Sequence, residues 1–186
     1  SWIFRDWRRN EATQMDPKAF DLLWEIYQEL GSSKPVHIIS GFRSSRTNEK
    51  LRKSGGGQAK NSQHVQGKAL DVHFPDVSVQ RLRYSALVRE RGGVGYYPTS
   101  ALPFVHVDSG RVRMWPRIAR LELAALFPKG QTKYLPIDGK PATTLTLDPP
   151  TAGPPPQPGQ PDRPRRNPRV NATISLPIPA GEHVIR

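Results

Sequence analysis

The chain has 186 residues, no cysteine and a net charge of +12, so disulfide bonds and thiolate metal sites are excluded. Such a basic chain favours an anionic partner, which leaves nucleic acid, an acidic membrane surface and an acidic cell-wall polymer as candidates. No apolar run reaches the roughly 18 residues that a membrane-spanning helix needs, so no span is predicted.

The prolines divide the chain into two parts. Twelve of the 20 prolines lie between positions 141 and 179, in a stretch with few large apolar residues and no apolar periodicity. Such a segment cannot bury enough apolar surface to offset the entropy of ordering its backbone. We therefore predict a folded domain over residues 1–140 and a disordered, Pro-rich tail over residues 141–186.

The first predicted helix begins after Asp16, which is a suitable N-cap, with Pro17 at the first helical position. It ends before Gly31, because glycine commonly follows the last turn of a helix. Four large apolar residues recur at helical spacing and are expected to form its buried stripe: Phe20, Leu23, Tyr27 and Leu30.

A β-branched run at 35–40 predicts a strand that ends in a turn at Gly41. A short helix is predicted to begin near Ser45, and a glycine-rich polar loop then leads to Ser62. The next run, 68–74, alternates as a strand does. Its apolar residues are therefore expected to face the core, and Asp71 to lie on the opposite face.

A further helix is predicted over 78–91, ended by Gly92. Two short strands follow, 93–97 and 104–110. Because alternate residues of a strand share a face, Phe104, His106 and Asp108 are expected to lie together on one side of the second strand.

Three residues at or near these strands have the composition of a catalytic metal site. His64 and Asp71 are separated by six residues, and His106 follows in a later strand. Two imidazoles and a carboxylate, with a fourth position open for water, are typical of catalytic zinc sites. The alternative for each histidine taken singly is an ordinary surface or hydrogen-bonded core residue.

Several sequence segments resemble one enzyme family. The stretch SQHVQGKALD, residues 62–71, matches the Ser-x-His-x-x-Gly-x-Ala-x-Asp motif of the M15 zinc peptidases, the D-alanyl-D-alanine carboxypeptidase and VanX-like group. Other segments, in the same order, are similar to the murein endopeptidases of its DUF882, or YcbK-like, branch: FRDWRRNEATQMDPKAFDLLW, ISGFRSSRTNEKLR, GGVGYYP and FVHVDSGRVRMW. The likeness extends over residues 4–115 and does not include the Pro-rich tail.

The resemblance implies an α+β fold of the hedgehog/D,D-peptidase type, in which a small antiparallel sheet with flanking helices holds a zinc ion. It implies His64, Asp71 and His106 as the zinc ligands. Arg43 matches an arginine that in relatives binds substrate or stabilises the oxyanion, and Ser62 matches a motif serine near the substrate.

Three aromatic residues are candidates for lining a substrate groove: Tyr96, Tyr97 and Trp115. Tyr96 and Tyr97 end the predicted strand 93–97, close in sequence to the last proposed ligand. The alternative is that they pack in the core, as aromatic residues in strands more commonly do.

The general base departs from the family pattern. Many M15 peptidases carry Glu or Asp three residues before the last zinc histidine, and here that position is Pro103. Asp108, two residues after His106 on the same strand face, is the candidate proton acceptor. The alternative is that Asp108 orients His106 by accepting an imidazole N–H, which metal sites commonly require.

The expected function is a zinc metallopeptidase that hydrolyses peptide crosslinks of peptidoglycan with a zinc-activated water. Carboxypeptidase activity is the second possibility within the enzyme class. The alternative to an enzyme is a catalytically inactive, zinc-containing module that binds the cell wall or a partner. The presence of Pro103 at the position of the general base supports this alternative. No nucleic-acid recognition motif accompanies the positive charge, so nucleic acid is not an expected partner.

A periplasmic or otherwise extracytoplasmic location follows from the resemblance alone. The first residue is Ser1 rather than Met, which is consistent with export after removal of an N-terminal segment not present in this sequence. We expect the protein to act as a monomer.

Overall fold

The computed structural model describes residues 2–140. A short 3-10 helix at Trp2–Phe4 precedes four α-helices and five strands. The helices are α1 (Pro17–Leu30), α2 (Ser45–Lys53), α3 (Val79–Val88) and α4 (Arg120–Leu126). The strands are β1 (His37–Ser40), β2 (Ala69–His73), β3 (Gly93–Tyr97), β4 (Phe104–Asp108) and β5 (Arg113–Trp115). The predicted α+β class is confirmed, and the tail predicted over 141–186 lies outside the described residues.

The five strands form one sheet in the order β1-β2-β4-β3-β5. The first four strands pair antiparallel, as predicted. Strand β5 was not predicted, and it joins the edge of the sheet parallel to β3. The sheet is therefore mixed, with β2 and β4 adjacent near its centre.

Strand alternation separates the core from the site. Leu70 and Val72 of β2 and Val105 and Val107 of β4 have no exposed surface and face the core, to which α1 and α3 also contribute. Burial of each such side chain stabilises the fold by about 1.5–3 kcal/mol. A one-residue slip of β2 would turn Asp71 into this core, so burial specifies the register that sends Asp71 to the other face.

The ends of α1 are as predicted. Asp16 accepts a hydrogen bond from the Lys18 amide at 3.1 Å, Pro17 is the first helical residue, and Gly31 adopts a φ of 61°. The prediction of the buried stripe was wrong about which residues are buried most deeply. The fully buried residues of α1 are Ala19, Leu22 and Ile26. The predicted residues lie beside them and are partly buried against the core. The apolar face of α1 is broad, and packing on α3 and the sheet decides which part of it is deepest.

The C-terminal part of the described chain also differs from expectation, because neither β5 nor α4 was predicted. Strand β5 has three residues and α4 has seven, which is too short for apolar periodicity to identify either element. None of the helices within residues 2–140 is long and apolar enough to cross a lipid bilayer.

Candidate metal centre

Three buried side chains bring their donor atoms together on the face of the sheet opposite the core. His64 Nε2 lies 3.2 Å from Asp71 Oδ1 and 3.1 Å from His106 Nδ1, and the last two atoms are 2.9 Å apart. For zinc–ligand distances near 2.0–2.1 Å and tetrahedral angles, donor separations of roughly 3.3 Å are expected. The donor set and its spacing fit a zinc ion.

Sheet pairing explains why residues distant in sequence meet here. Asp71 of β2 is directly opposite His106 of β4 in the antiparallel register. His64 belongs to the loop before β2, and its carbonyl accepts a hydrogen bond from the Arg43 amide at 3.1 Å. This contact attaches the loop to the connection between β1 and α2.

Hydrogen bonds on the far side of each ring assign the imidazole tautomers. His64 Nδ1 lies 2.6 Å from the Gly41 carbonyl oxygen and therefore donates to it. His106 Nε2 lies 2.9 Å from Asp108 Oδ2 and donates likewise. The remaining ring nitrogens direct lone pairs at Asp71, and three electron-pair donors this close are stabilised by a shared cation.

The pKa values of Asp71 and His106 shift in the directions that favour positive charge between the two side chains. Burial disfavours the Asp71 carboxylate, but the neighbouring His64 and His106 outweigh it and hold the pKa of Asp71 far below its usual range. Burial likewise disfavours a charged His106, whereas its hydrogen bonds to Asp108 and Asp71 raise the pKa of His106. The cluster therefore attracts positive charge.

Asp108 has no exposed surface, and both of its oxygens are occupied. Oδ1 accepts from the amides of Gly93 and Gly110 at 3.0 and 2.9 Å and from Arg113 Nη1 at 3.0 Å. Oδ2 accepts from His106 Nε2 at 2.9 Å and from Arg113 Nη2 at 2.7 Å. Burial opposes the charge, but the hydrogen bonds from His106 and Arg113 lower the pKa of Asp108 strongly. Its geometry favours orientation of His106 over proton abstraction.

The donor cluster lies in a pocket of about 320 Å³. The loop after α2 supplies one wall, including Gly56, Gly57 and Gln58, and Phe104 and Trp115 contribute to another. Among the described residues that line it, Asp71 is the only carboxylate. No second acidic side chain of the described chain is thus available in the pocket to accept a proton.

Arg43 is the cation beside the cluster. Its Nη2 lies 3.9 Å from Asp71 Oδ2, and its side chain is largely buried. Nη1 donates to Asn48 Oδ1 at 3.3 Å, and Asn48 in turn donates to the Ala59 carbonyl at 3.0 Å. The buried amide of Asn48 thus connects Arg43 to the glycine-rich wall, a link that no sequence pattern indicated.

The other predicted site residues divide into two groups. Ser62 and Tyr97 line the pocket, and Ser62 Oγ accepts from the His64 amide at 3.3 Å. Tyr97 stacks on Phe104 at 4.6 Å, and its hydroxyl accepts from Trp115 Nε1 at 2.8 Å. Tyr96 does not line this pocket, because alternation turns its side chain to the opposite face of β3.

On that face Tyr96 packs against the core, with the Arg83 guanidinium 4.6 Å from its ring centroid. Arg113 was missed entirely. Besides binding Asp108 it lines the pocket, and its guanidinium lies 5.1 Å from the Trp115 ring. Arg113 and Trp115 share one face of β5, but a strand of three residues shows too little alternation to be recognised from the sequence.

The family model Peptidase_M15_2, described as peptidoglycan L,D-endopeptidase MepK, matches residues 1–115. This chain belongs to that family. The match ends at the last residue of β5 and so includes the donor cluster, Arg43 and Arg113. The resemblance inferred from the separate motifs is confirmed.

Named members of this M15 family are similar over the same region. The peptidoglycan L,D-endopeptidase MepK of Escherichia coli K12 is 46% identical over 113 residues, and the probable peptidoglycan L,D-endopeptidase MepK of Haemophilus influenzae is 42% identical over 115 residues. Each match covers 61% of this chain and 61% of the relative. The chain therefore aligns with less than two thirds of the length of these relatives.

One solved structure has a weaker likeness, the L-Ala D-Glu endopeptidase ChiX of Serratia marcescens. It is 16% identical, with a TM-score of 0.38, and the match covers 51% of this chain and 80% of that one.

Proposed function

We propose that this protein is a zinc-dependent peptidoglycan endopeptidase that hydrolyses peptide crosslinks. The observation that carries the proposal is the convergence of His64 Nε2, Asp71 Oδ1 and His106 Nδ1 within one pocket, beside the largely buried Arg43. The relatives are described as peptidoglycan L,D-endopeptidases, which makes an amide between an L-centre and a D-centre of the stem peptides the bond we expect to be cut. Such a substrate places the site of action outside the cytoplasm.

His64, Asp71 and His106 would hold the zinc ion. When bound, zinc supplies Lewis acidity, which polarises a carbonyl group and makes water a stronger acid. The Gly41 carbonyl and Asp108 keep the two imidazoles in the tautomers that direct lone pairs inward. The protein thus provides donors whose orientation is set before the substrate arrives.

Arg43 provides the positive charge for the substrate. Its guanidinium borders the pocket, and Asn48 holds one of its nitrogens in place. A fixed cation of this kind stabilises a developing oxyanion, or pairs with a substrate carboxylate, more strongly than a solvated one does. Tyr97, Phe104 and Trp115 form an aromatic wall on one side of the pocket.

Asp108 is in this proposal a positioning residue. Asp108→Asn is expected to weaken zinc affinity and activity together, each by about 10–100-fold, since loss of the partner of a ligating histidine has effects of this size. Chelator competition and crosslink cleavage measure the two quantities. Asp138→Asn, which alters an exposed pair with Arg120, should change neither. Unaltered zinc affinity with a far larger loss of kcat would instead make Asp108 the base.

The experiment that tests the proposal is cleavage of purified crosslinked peptidoglycan fragments, followed by mass spectrometry of the products. We expect the zinc-loaded protein to cut L,D crosslinks, a chelator to stop cleavage, and added zinc to restore it. A substrate series with D,D crosslinks, L,D crosslinks and free terminal D-alanine separates endopeptidase from carboxypeptidase activity.

A zinc-containing module that binds the cell wall without cutting it is the second candidate. One observation favours it, namely that Asp71 is the only carboxylate among the described pocket residues, so that none remains free to act as a base. A protein that holds zinc and sediments with peptidoglycan, but releases no product from any of these substrates, would establish this candidate in place of the enzyme.

A further inference from the structure

The segment 2–11, which we call the N-terminal turn, is firmly attached to the domain. It closes on itself through hydrogen bonds between the backbones of Asp6 and Glu11, at 2.8 and 3.3 Å. The buried Asp6 carboxylate accepts from the amide and hydroxyl of Ser44 at 3.0 and 2.7 Å, and the Phe4 carbonyl accepts from the Phe42 amide at 2.7 Å. The turn therefore has a defined position.

That position adjoins the pocket. Ser44 and Phe42, the two residues bonded to the N-terminal turn, are the chain neighbours of Arg43 on either side. Gly41, whose carbonyl orients His64, also lies against Phe4: a Cβ at Gly41 would come within 2.8 Å of the Phe4 carbonyl oxygen. The turn and the pocket thus share one connecting segment between β1 and α2.

The N-terminal turn exposes large apolar side chains. Trp2, Ile3 and Trp7 are 56%, 74% and 65% exposed, whereas Phe4 between them packs on Phe20 with ring centroids 4.9 Å apart. The contacts described above between the turn and the domain are made by Phe4 and Asp6. Exposed aromatic residues held on an anchored segment are typical of a binding surface.

Arginines accompany both indoles. The Arg5 guanidinium lies 4.7 Å from the centroid of the Trp2 ring, and that of Arg8 lies 4.3 Å from the Trp7 ring. These contacts hold the rings in place while leaving more than half of each tryptophan exposed. The surface therefore combines flat apolar rings with positive charge. Asp6 does not offset this charge at the surface, because its carboxylate is buried and hydrogen-bonded to Ser44.

We propose that the N-terminal turn is a second binding surface for polymeric peptidoglycan, outside the pocket that receives the crosslink. The proposal rests on the proposed function of the pocket. Sugar rings of a glycan strand present C–H faces that pack on indole rings, and stem peptides carry carboxylates that pair with arginine. The polymer extends beyond any single crosslink, so a surface that adjoins the pocket contacts the strand to which that crosslink is attached.

An anionic lipid surface is the other occupant that tryptophan and arginine would suit. The connection to the segment that carries Arg43 favours the polymer, because a lipid-binding surface has no need to adjoin the pocket. Lipid binding is therefore an outcome that the experiment must be able to detect.

The test compares the full-length Trp2→Ala/Trp7→Ala variant with the wild type on two substrates. On insoluble, intact peptidoglycan we expect sedimentation binding and cleavage to fall by about tenfold, as for loss of aromatic residues central to an interface. On a soluble crosslinked peptide dimer without glycan, kcat/KM should remain within about twofold of the wild type. Trp24→Ala, which removes a 62%-exposed tryptophan stacked on Tyr27 of α1, is the matched control and should alter neither.

Equal losses on both substrates would overturn the proposal, because the turn would then only support the pocket. Unchanged binding to intact peptidoglycan would overturn it too, and loss of sedimentation with vesicles containing phosphatidylglycerol would then identify a lipid surface. If the wild type cuts neither substrate, the proposed function fails separately, while sedimentation with intact peptidoglycan still tests the turn.

Discussion

Replacing His106 with alanine is expected to abolish zinc binding and to lower crosslink cleavage by about a thousandfold or more, since the Lewis acidity of a bound metal stabilises the transition state by several kcal/mol. The ring of His106, a proposed ligand, is held by Asp108, which in turn accepts hydrogen bonds from Arg113 and two glycine amides. Elemental analysis and product release from the same preparation measure the two effects.

His37→Ala is the matched control, because His37 is exposed on β1 and is not a member of the donor cluster. It should retain zinc and activity. A His106→Ala variant that keeps one zinc ion per chain with unchanged affinity would contradict the ligand assignment. Circular dichroism on both variants distinguishes loss of the metal from loss of the fold.

Replacing Arg43 with alanine is expected to lower activity by about 100–1,000-fold while leaving zinc bound, an effect of the size seen when one donor to a developing oxyanion is removed. The guanidinium is not one of the three donors, so metal content should not follow activity. Arg43→Lys should restore little, because an ammonium carries its N–H groups on one nitrogen and does not reproduce the rigid fork in which Nη1 contacts Asn48 while Nη2 faces the donor cluster. Steady-state kinetics on soluble crosslinked peptides measure the effect.

The division between kcat and KM identifies what Arg43 contacts. A loss confined to kcat indicates an interaction formed in the transition state, whereas a raised KM indicates a carboxylate of the bound substrate. Arg46→Ala, at an exposed position of α2, controls for the loss of one positive charge from this basic domain. Full activity of Arg43→Ala would remove Arg43 from the mechanism.

Local patterns predicted the elements that frame the site. The N-cap of α1 depends on Asp16 and Pro17, which act within one turn of the chain, and the faces of β2 and β4 follow from alternation alone. The same alternation separates Tyr96 from Tyr97, so only one of the two tyrosines could reach the pocket. Asp71 lies opposite His106 because of the register between β2 and β4, and burial of the apolar face determines that register.

Other features depended on residues far apart in sequence. Strand β5 is held by its neighbour β3 rather than by its own composition, and Arg113 reaches Asp108 only because β5 has joined the sheet. Asn48 meets Arg43 and Ala59 because the loop after α2 folds back over the pocket. No spacing along the chain encodes these contacts.

The sequence by itself determined the α+β class, the motif residues and the family, because caps, alternation and motif spacing are local properties of the chain. The choice between the two roles weighed for Asp108 depends on the tertiary structure. Proton abstraction needs a free lone pair that faces the substrate, and whether a carboxylate has one depends on every donor packed around it. Here Gly93, Gly110, Arg113 and His106 occupy both oxygens, and the geometry therefore favours the orienting role.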